Sequence, residues 1–116
     1  MKFESAHFKK AGRTPEVEVR PGLKRQVLCY NDDIMLVRVT FGPEMVLTRP
    51  PLHTHHNSQS SCIVSGRFEF HHSGHEPVVL GPGDSFCIGP DVPHEAYCLE
   101  PGVIIDAFSP LREDFL

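Results

Sequence analysis

From Pro21 onward, glycine and proline cut this chain into short runs, and that punctuation decides what it can fold into. The 116 residues hold 11 prolines and 9 glycines. Proline lacks the donor that a helix interior or a central strand needs. The runs left between breaks are Lys24–Tyr30, Ile34–Phe41, Ser61–Ser65, Arg67–His72, Pro77–Leu80, Ser85–Ile88, His94–Leu99 and Val103–Phe108. They are rich in β-branched and aromatic residues, and none keeps a helical period over a useful length. Arg67–His72 alternates Phe68 and Phe70 with Arg67 and Glu69, as a strand with one buried face does. Gly66-Arg67 and Ser73-Gly74 read as turns, and Thr48-Arg49-Pro50-Pro51 can be neither helix nor central strand. Many short strands at regular spacing predict an all-β antiparallel sandwich or small barrel.

The length allows one domain. Residues 1–21 are polar and lack a strong period, so they are expected to form an N-terminal arm with at most one edge strand; residues 22–116 form the domain. The formal net charge of −4 argues against nucleic-acid and membrane-surface partners, which call for a cationic face. The N-terminus has no apolar core of a secretory signal, and Arg38 interrupts the apolar run that starts at Ile34. Cys29, Cys62, Cys87 and Cys98 form no CxxC pair and are expected to be reduced and mostly buried. A cytoplasmic location is the resulting expectation.

Histidine is the outlier. There are eight, and His53, His55 and His56 fall within four positions. In a strand, residues two apart face the same side, so His53 and His55 can both point inward with Thr54 outward. Gln59 has the same parity and joins them if the strand runs on. His94 follows Pro93 at the head of a later strand. Three imidazoles and one side-chain oxygen suit one borderline divalent ion such as Zn, Ni, Fe or Mn. HxH alone is equally well explained by two solvated histidines near a turn.

The wider pattern is more specific. It reads Gly42, ten residues, His53-x-His55, three residues, Gln59, six residues, Gly66, and later Gly83-Asp84 through Pro93-His94. These blocks resemble the two motifs of the cupin superfamily, with two departures. Gln59 stands where the usual ligand is Glu, and Gly89 stands at the usual proline, with Pro90 beside it. That resemblance covers residues 24–108 and implies a single-domain, RmlC-like conical antiparallel barrel or jelly roll with a metal inside. Leu23-Lys24-Arg25, Gln59 and the ending Ile105-Asp106-Ala107-Phe108 through Arg112 to Leu116 look like the small pectin-degradation cupins of the KdgF type.

The KdgF resemblance implies metal binding by His53, His55, Gln59 and His94, and remaining active-site roles for Asp106, Phe108 and Arg112. The activity it implies is metal-dependent opening of 4,5-unsaturated uronate monosaccharides to linear 5-keto-4-deoxyuronate, an isomerisation in pectin catabolism. Such chemistry needs a Lewis acid, an acid–base group and a cation for the carboxylate. A neutral Gln ligand leaves the ion its full +2 charge, which favours an anionic small-molecule substrate; Gln59 can alternatively act from behind a water. Asp106 shares parity with Ile104 and Phe108, so an inward face would surround its carboxylate with apolar groups and raise its pKa. It can instead be a structural partner of Arg112. Arg112 has the planar fork that grips a carboxylate, and Phe108 is most simply a pocket wall.

His71, His72 and His75 flank a turn and are expected to be solvated, and Cys98 shares parity with His94 and can line the pocket floor. The resemblance also implies a homodimer, and an exposed edge strand supplies a physical reason for one. Two other classes stay open: a non-catalytic sugar- or metabolite-binding cupin, and a different small metal-dependent cupin such as an oxygenase or sugar isomerase.

Overall fold

Strand alternation is clearest where the chain builds its inner wall. In the computed structural model, which describes residues 6–116, positions 58–64 alternate between exposed and buried, with Gln59, Ser61 and Ile63 inward. The strands are β1 (Glu16–Arg20), β2 (Leu23–Tyr30), β3 (Met35–Phe41), β4 (Ser58–His72), β5 (Val78–Leu80), β6 (Ser85–Ile88) and β7 (His94–Ser109). They form one antiparallel sheet in the order β1-β2-β3-β7-β4-β5, with β6 also paired to β4. The long strands β4 and β7 tie the sheet together along their whole length. The first part of β4 lies between β6 and the end of β7, and its last part between β5 and the start of β7.

Two expected breaks are bends. Ser61–Ser65 and Arg67–His72 are one strand, as are His94–Leu99 and Val103–Phe108. The reason is that Gly66 and Gly102 face each other across the β4–β7 ladder. A Cβ on Gly66, whose φ is +82°, would lie 2.6 Å from the Glu100 carbonyl oxygen; one on Gly102 would lie 2.0 Å from the Ser65 oxygen. The glycines therefore let both strands kink together, with register shifts on either side, without parting.

Two apolar clusters fill the interior. Ile63, Phe68, Cys98 and Ile104 pack with Met45, which a short 3-10 turn (Pro43–Leu47) inserts. Met35, Val37 and Phe108 form the second, against which Leu111 and Phe115 of the C-terminal segment pack. Phe68 is fully buried, so truncation to alanine would cost about 3–5 kcal/mol.

In the arm, the first five residues lie outside the described ones. Gln26 Nε2 donates to the carbonyls of Thr14, at 2.9 Å, and of Ala11, at 3.3 Å. Strand β1 then pairs with β2, and all five of its residues are exposed. The cysteines are all free, but only Cys98 is buried; Cys62 and Cys87 sit on outward positions of β4 and β6 and are exposed. Among the described residues no helix is long and apolar enough to cross a membrane.

Candidate metal centre and active site

His53, His55 and His94 converge. One ligand atom from each lies within 4.8 Å of the others, and their ring centroids are 4.5 to 6.0 Å apart. The route differs from a simple strand. His53 makes only an isolated bridge with His94, and residues 54–57 are irregular before β4 begins. The bridge sets His53 beside His94, and the loop returns His55 to them. His56 is exposed and outside the cluster.

Each imidazole is held by its Nδ1. That of His94 donates to the Val92 carbonyl at 2.8 Å, and that of His55 to the Asn57 carbonyl at 2.9 Å. The Nδ1 of His53 lies 3.1 Å from Glu95 Oε2. Carbonyls and carboxylates only accept, so the proton sits on Nδ1 and Nε2 is left as the ligand. Burial is the first cause that holds the pKa values of His55 and His94 below the usual imidazole value, which favours the neutral form of both.

Two observations test whether this set fits a cation. The Nε2 of His94 is buried without a hydrogen-bond partner. The Nε2 of His55 lies 2.9 Å from Gln59 Oε1, which sets two lone pairs face to face when the imidazole is neutral. The amide cannot turn to relieve this, because its Nε2 already donates to Ser61 Oγ at 2.9 Å and to Asp106 Oδ1 at 3.3 Å. An ion bound between these atoms satisfies every lone pair, so three histidines and the Gln59 oxygen suit a divalent metal.

Asp106 lies directly behind Gln59. Ser61 Oγ donates to Asp106 Oδ1 at 2.6 Å, and Ser61 and Asp106 are paired residues across β4 and β7. Burial pushes the carboxyl up to about 6, against the hydrogen bonds from Ser61 and Gln59 and the charge of Arg112. Among the described residues Oδ2 has no hydrogen-bond partner, both bonds going to Oδ1, and the residue lines a cavity of about 570 Å³ shared with His53, Gln59, His94, Phe108 and Arg112. Phe108 meets the His55 ring edge-on, with centroids 5.6 Å apart.

Arg112 does not pair with Asp106. Its Nε and a terminal nitrogen donate to the two carboxylate oxygens of Asp114, at 3.0 and 2.8 Å, and its guanidinium lies 4.2 Å from the Phe115 ring. Asn57, almost fully buried, sets this segment in place by donating to the carbonyls of Pro110 and Leu111. Asn57, Ser61 and Glu95 are the positioning residues that reading the sequence misses. Only adjacency signals them: Asn57 is two residues past His55, Ser61 two past Gln59, and Glu95 next to His94. His71 and His72 are half-buried on β4, with His71 paired to Glu69 and His72 stacked on the exposed His75.

A jelly roll that turns three imidazoles and a carboxamide into one pocket is cupin architecture, and the chain belongs to the cupin domain family, which it matches over residues 45–108. It is similar to the pectin degradation protein KdgF of Dickeya dadantii (strain 3937), with 38% identity over 104 residues, 89% of this chain and 92% of the relative. The crystal structure of an RmlC-like cupin from Shewanella frigidimarina NCIMB 400 superposes with a TM-score of 0.82 at 38% identity, covering 97% of each chain. The structure of KdgF from Halomonas sp. does so with a TM-score of 0.82 at 33% identity, covering 97% of this chain and 100% of that one.

Proposed function

We propose that this protein opens 4,5-unsaturated uronates, such as 4,5-unsaturated galacturonate, to linear 5-keto-4-deoxyuronate, as a cytoplasmic step of pectin catabolism. The observation that carries the reading is Gln59, whose Oε1 lies 2.9 Å from His55 Nε2 and whose Nε2 donates to Asp106, holding a carboxyl group against a histidine cluster in one pocket. Similarity to a protein named for pectin degradation supports the substrate class.

A divalent ion held by His53, His55, His94 and Gln59 would supply Lewis-acid polarisation of the sugar oxygens. The protein's own part is proton movement and orientation. Ring opening breaks the bond between C1 and the ring oxygen, makes the C1 aldehyde, frees the anomeric hydroxyl proton and leaves an enolate at C5. The enolate becomes the ketone when a proton reaches C4. Asp106 Oδ2 moves that proton, off the anomeric oxygen and then onto C4, so no atoms are gained or lost. A carboxyl near pH 6 is matched to both transfers. Ser61 and Gln59 fix the other oxygen, so the reactive one stays in the pocket. Phe108 forms the apolar wall that keeps the ring beside it.

The test mixes metal-loaded protein with 4,5-unsaturated galacturonate and follows the enol-ether absorbance. Loss faster than the spontaneous rate, abolished by a chelator and by His94→Ala, is expected. No acceleration by metal-replete protein refutes the reaction, and ligand-induced stabilisation without turnover then selects a sugar-binding cupin.

A further inference from the structure

The cavity has a second cation, and its donors are free where those of Arg112 are not. Arg25 is on β2, whose alternate residues Leu23 and Val27 pack into the two core clusters, so its parity is inward. Its neighbour across the ladder is Val39, itself paired with Ile104. Arg25 lines the same cavity as Gln59, His94 and Asp106. Its guanidinium lies 4.0 Å from the Phe115 ring centroid, and Arg112 also packs against that ring.

The two arginines differ in what they hold. Arg112 gives Nε and one terminal nitrogen to Asp114, so a substrate carboxylate would have to displace a bidentate partner. Among the described residues Arg25 makes no ion pair and no side-chain hydrogen bond. Packing against the ring leaves its in-plane N–H edges open. Asp114 lies close enough to favour both cations, but one carboxylate facing two guanidiniums leaves a net positive charge. Arg25 is half-buried, and burial together with the nearby Arg112 acts against its charged form, a cost that a bound anion relieves. Arg20 also lines the cavity, but from the exposed edge strand β1, where water screens it.

We infer that Arg25 is the residue that binds the carboxylate of an acidic sugar in this pocket, while Arg112 with Asp114 braces Phe115 and Phe108. The inference rests on the proposed uronate reading for its ligand class and on the unspent donors for its residue. It moves the clamp from the C-terminal segment, where the sequence places it, to the second strand.

The experiment measures binding of D-galacturonate and of galactose by calorimetry, with metal-loaded and chelator-treated protein. Wild type is compared with Arg25→Gln, Arg25→Lys, Arg112→Gln and Arg20→Gln, each checked by circular dichroism. Arg25→Gln should weaken galacturonate binding roughly 10–100-fold, the range of a lost charge-assisted hydrogen bond, and leave galactose binding unmoved. Arg25→Lys, which keeps charge but loses the fork, should fall between. On the unsaturated uronate, KM should rise by about 10-fold or more with kcat within about 3-fold. Wild-type galacturonate affinity in folded Arg25→Lys and Arg25→Gln, no binding by wild type, or a loss carried by Arg112→Gln or Arg20→Gln instead overturns the assignment. Turnover by wild type with KM unmoved in the Arg25 variants overturns it and leaves the reaction standing. Arg25-dependent galacturonate binding without turnover supports it and removes the reaction.

Discussion

Changing Asp106 to Asn should make the metal-free protein more stable at alkaline pH and equally stable in acid. Asparagine keeps the shape, and its Oδ1 can still accept from Ser61 and Gln59, so only the charge is lost. The folded-state pKa is raised from 3.8 to about 6, chiefly by burial. An acid whose pKa is raised on folding favours the folded state fully below pH 3.8, and that advantage is lost as pH rises through about 6. The difference is worth about 3 kcal/mol above pH 7. This is an upper figure, because the pocket face of the side chain admits water. At this chain length it corresponds to roughly 10 °C in melting temperature. Urea unfolding and thermal melts of chelator-treated wild type and Asp106→Asn, at several pH values from 4 to 8, read it directly. The curves should converge near pH 4, separate between about pH 4 and 6 and stay fully apart above about pH 7. Equal stabilities at pH 8, or a variant weaker at every pH, would show that Asp106 carries no desolvated charge. The same variant should lose about 10²–10⁴ in kcat with metal content intact.

Metal content should depend jointly on His53, His55 and His94, so His94→Ala should lose most bound ion by elemental analysis; Gln59→Ala should have a milder effect. Glu95→Ala, which frees His53 Nδ1, should weaken metal affinity about 10–100-fold, and an unchanged chelator titration would count against that role. Gly102→Ala places a Cβ against the Ser65 carbonyl and should cost about 3 kcal/mol or more, read as loss of soluble protein or of cooperative unfolding. Light scattering at micromolar concentration should give a dimer mass, with the exposed edge of β1 as its contact; a monomer mass refutes it.

The strands and their facing were legible because one wall of the sheet faces the interior and so alternates cleanly. Gln59, Ser61 and Ile63 on β4, and Ile104, Asp106 and Phe108 on β7, can be read by counting in twos. The parity that joined His53 to His55 reached the right neighbours by the wrong local geometry, since an isolated bridge and an irregular loop bring them together. What stayed hidden depends on partners far apart in sequence. Gly66 and Gly102 look like two turns until their strands are known to be neighbours. The grip of Asn57 on the C-terminal segment spans more than fifty positions. Arg112 has its carboxylate two residues away at Asp114, whereas the sequence alone also allows Asp106 as its alternative partner. Cys62 and Cys87 are outward because sheet alternation, rather than cysteine's general preference for burial, sets their exposure.

The facing glycines at positions 66 and 102 act as a ruler. Only there can the β4 and β7 backbones come so close, since any side chain at either position would strike the opposite carbonyls. Sliding one strand by a single residue would set Gly102 against a residue with a Cβ and split the shared kink into two misaligned ones. It would also part Ser61 from Asp106 and Gln59 from Phe108, which face each other rung by rung. A slipped sheet could still bury much of its apolar surface, yet it would carry a broken centre. The kink thus makes assembly of the reaction chamber all-or-none: chains that close the barrel in the one alignment the glycines permit have built the acid and the metal cradle in the same act.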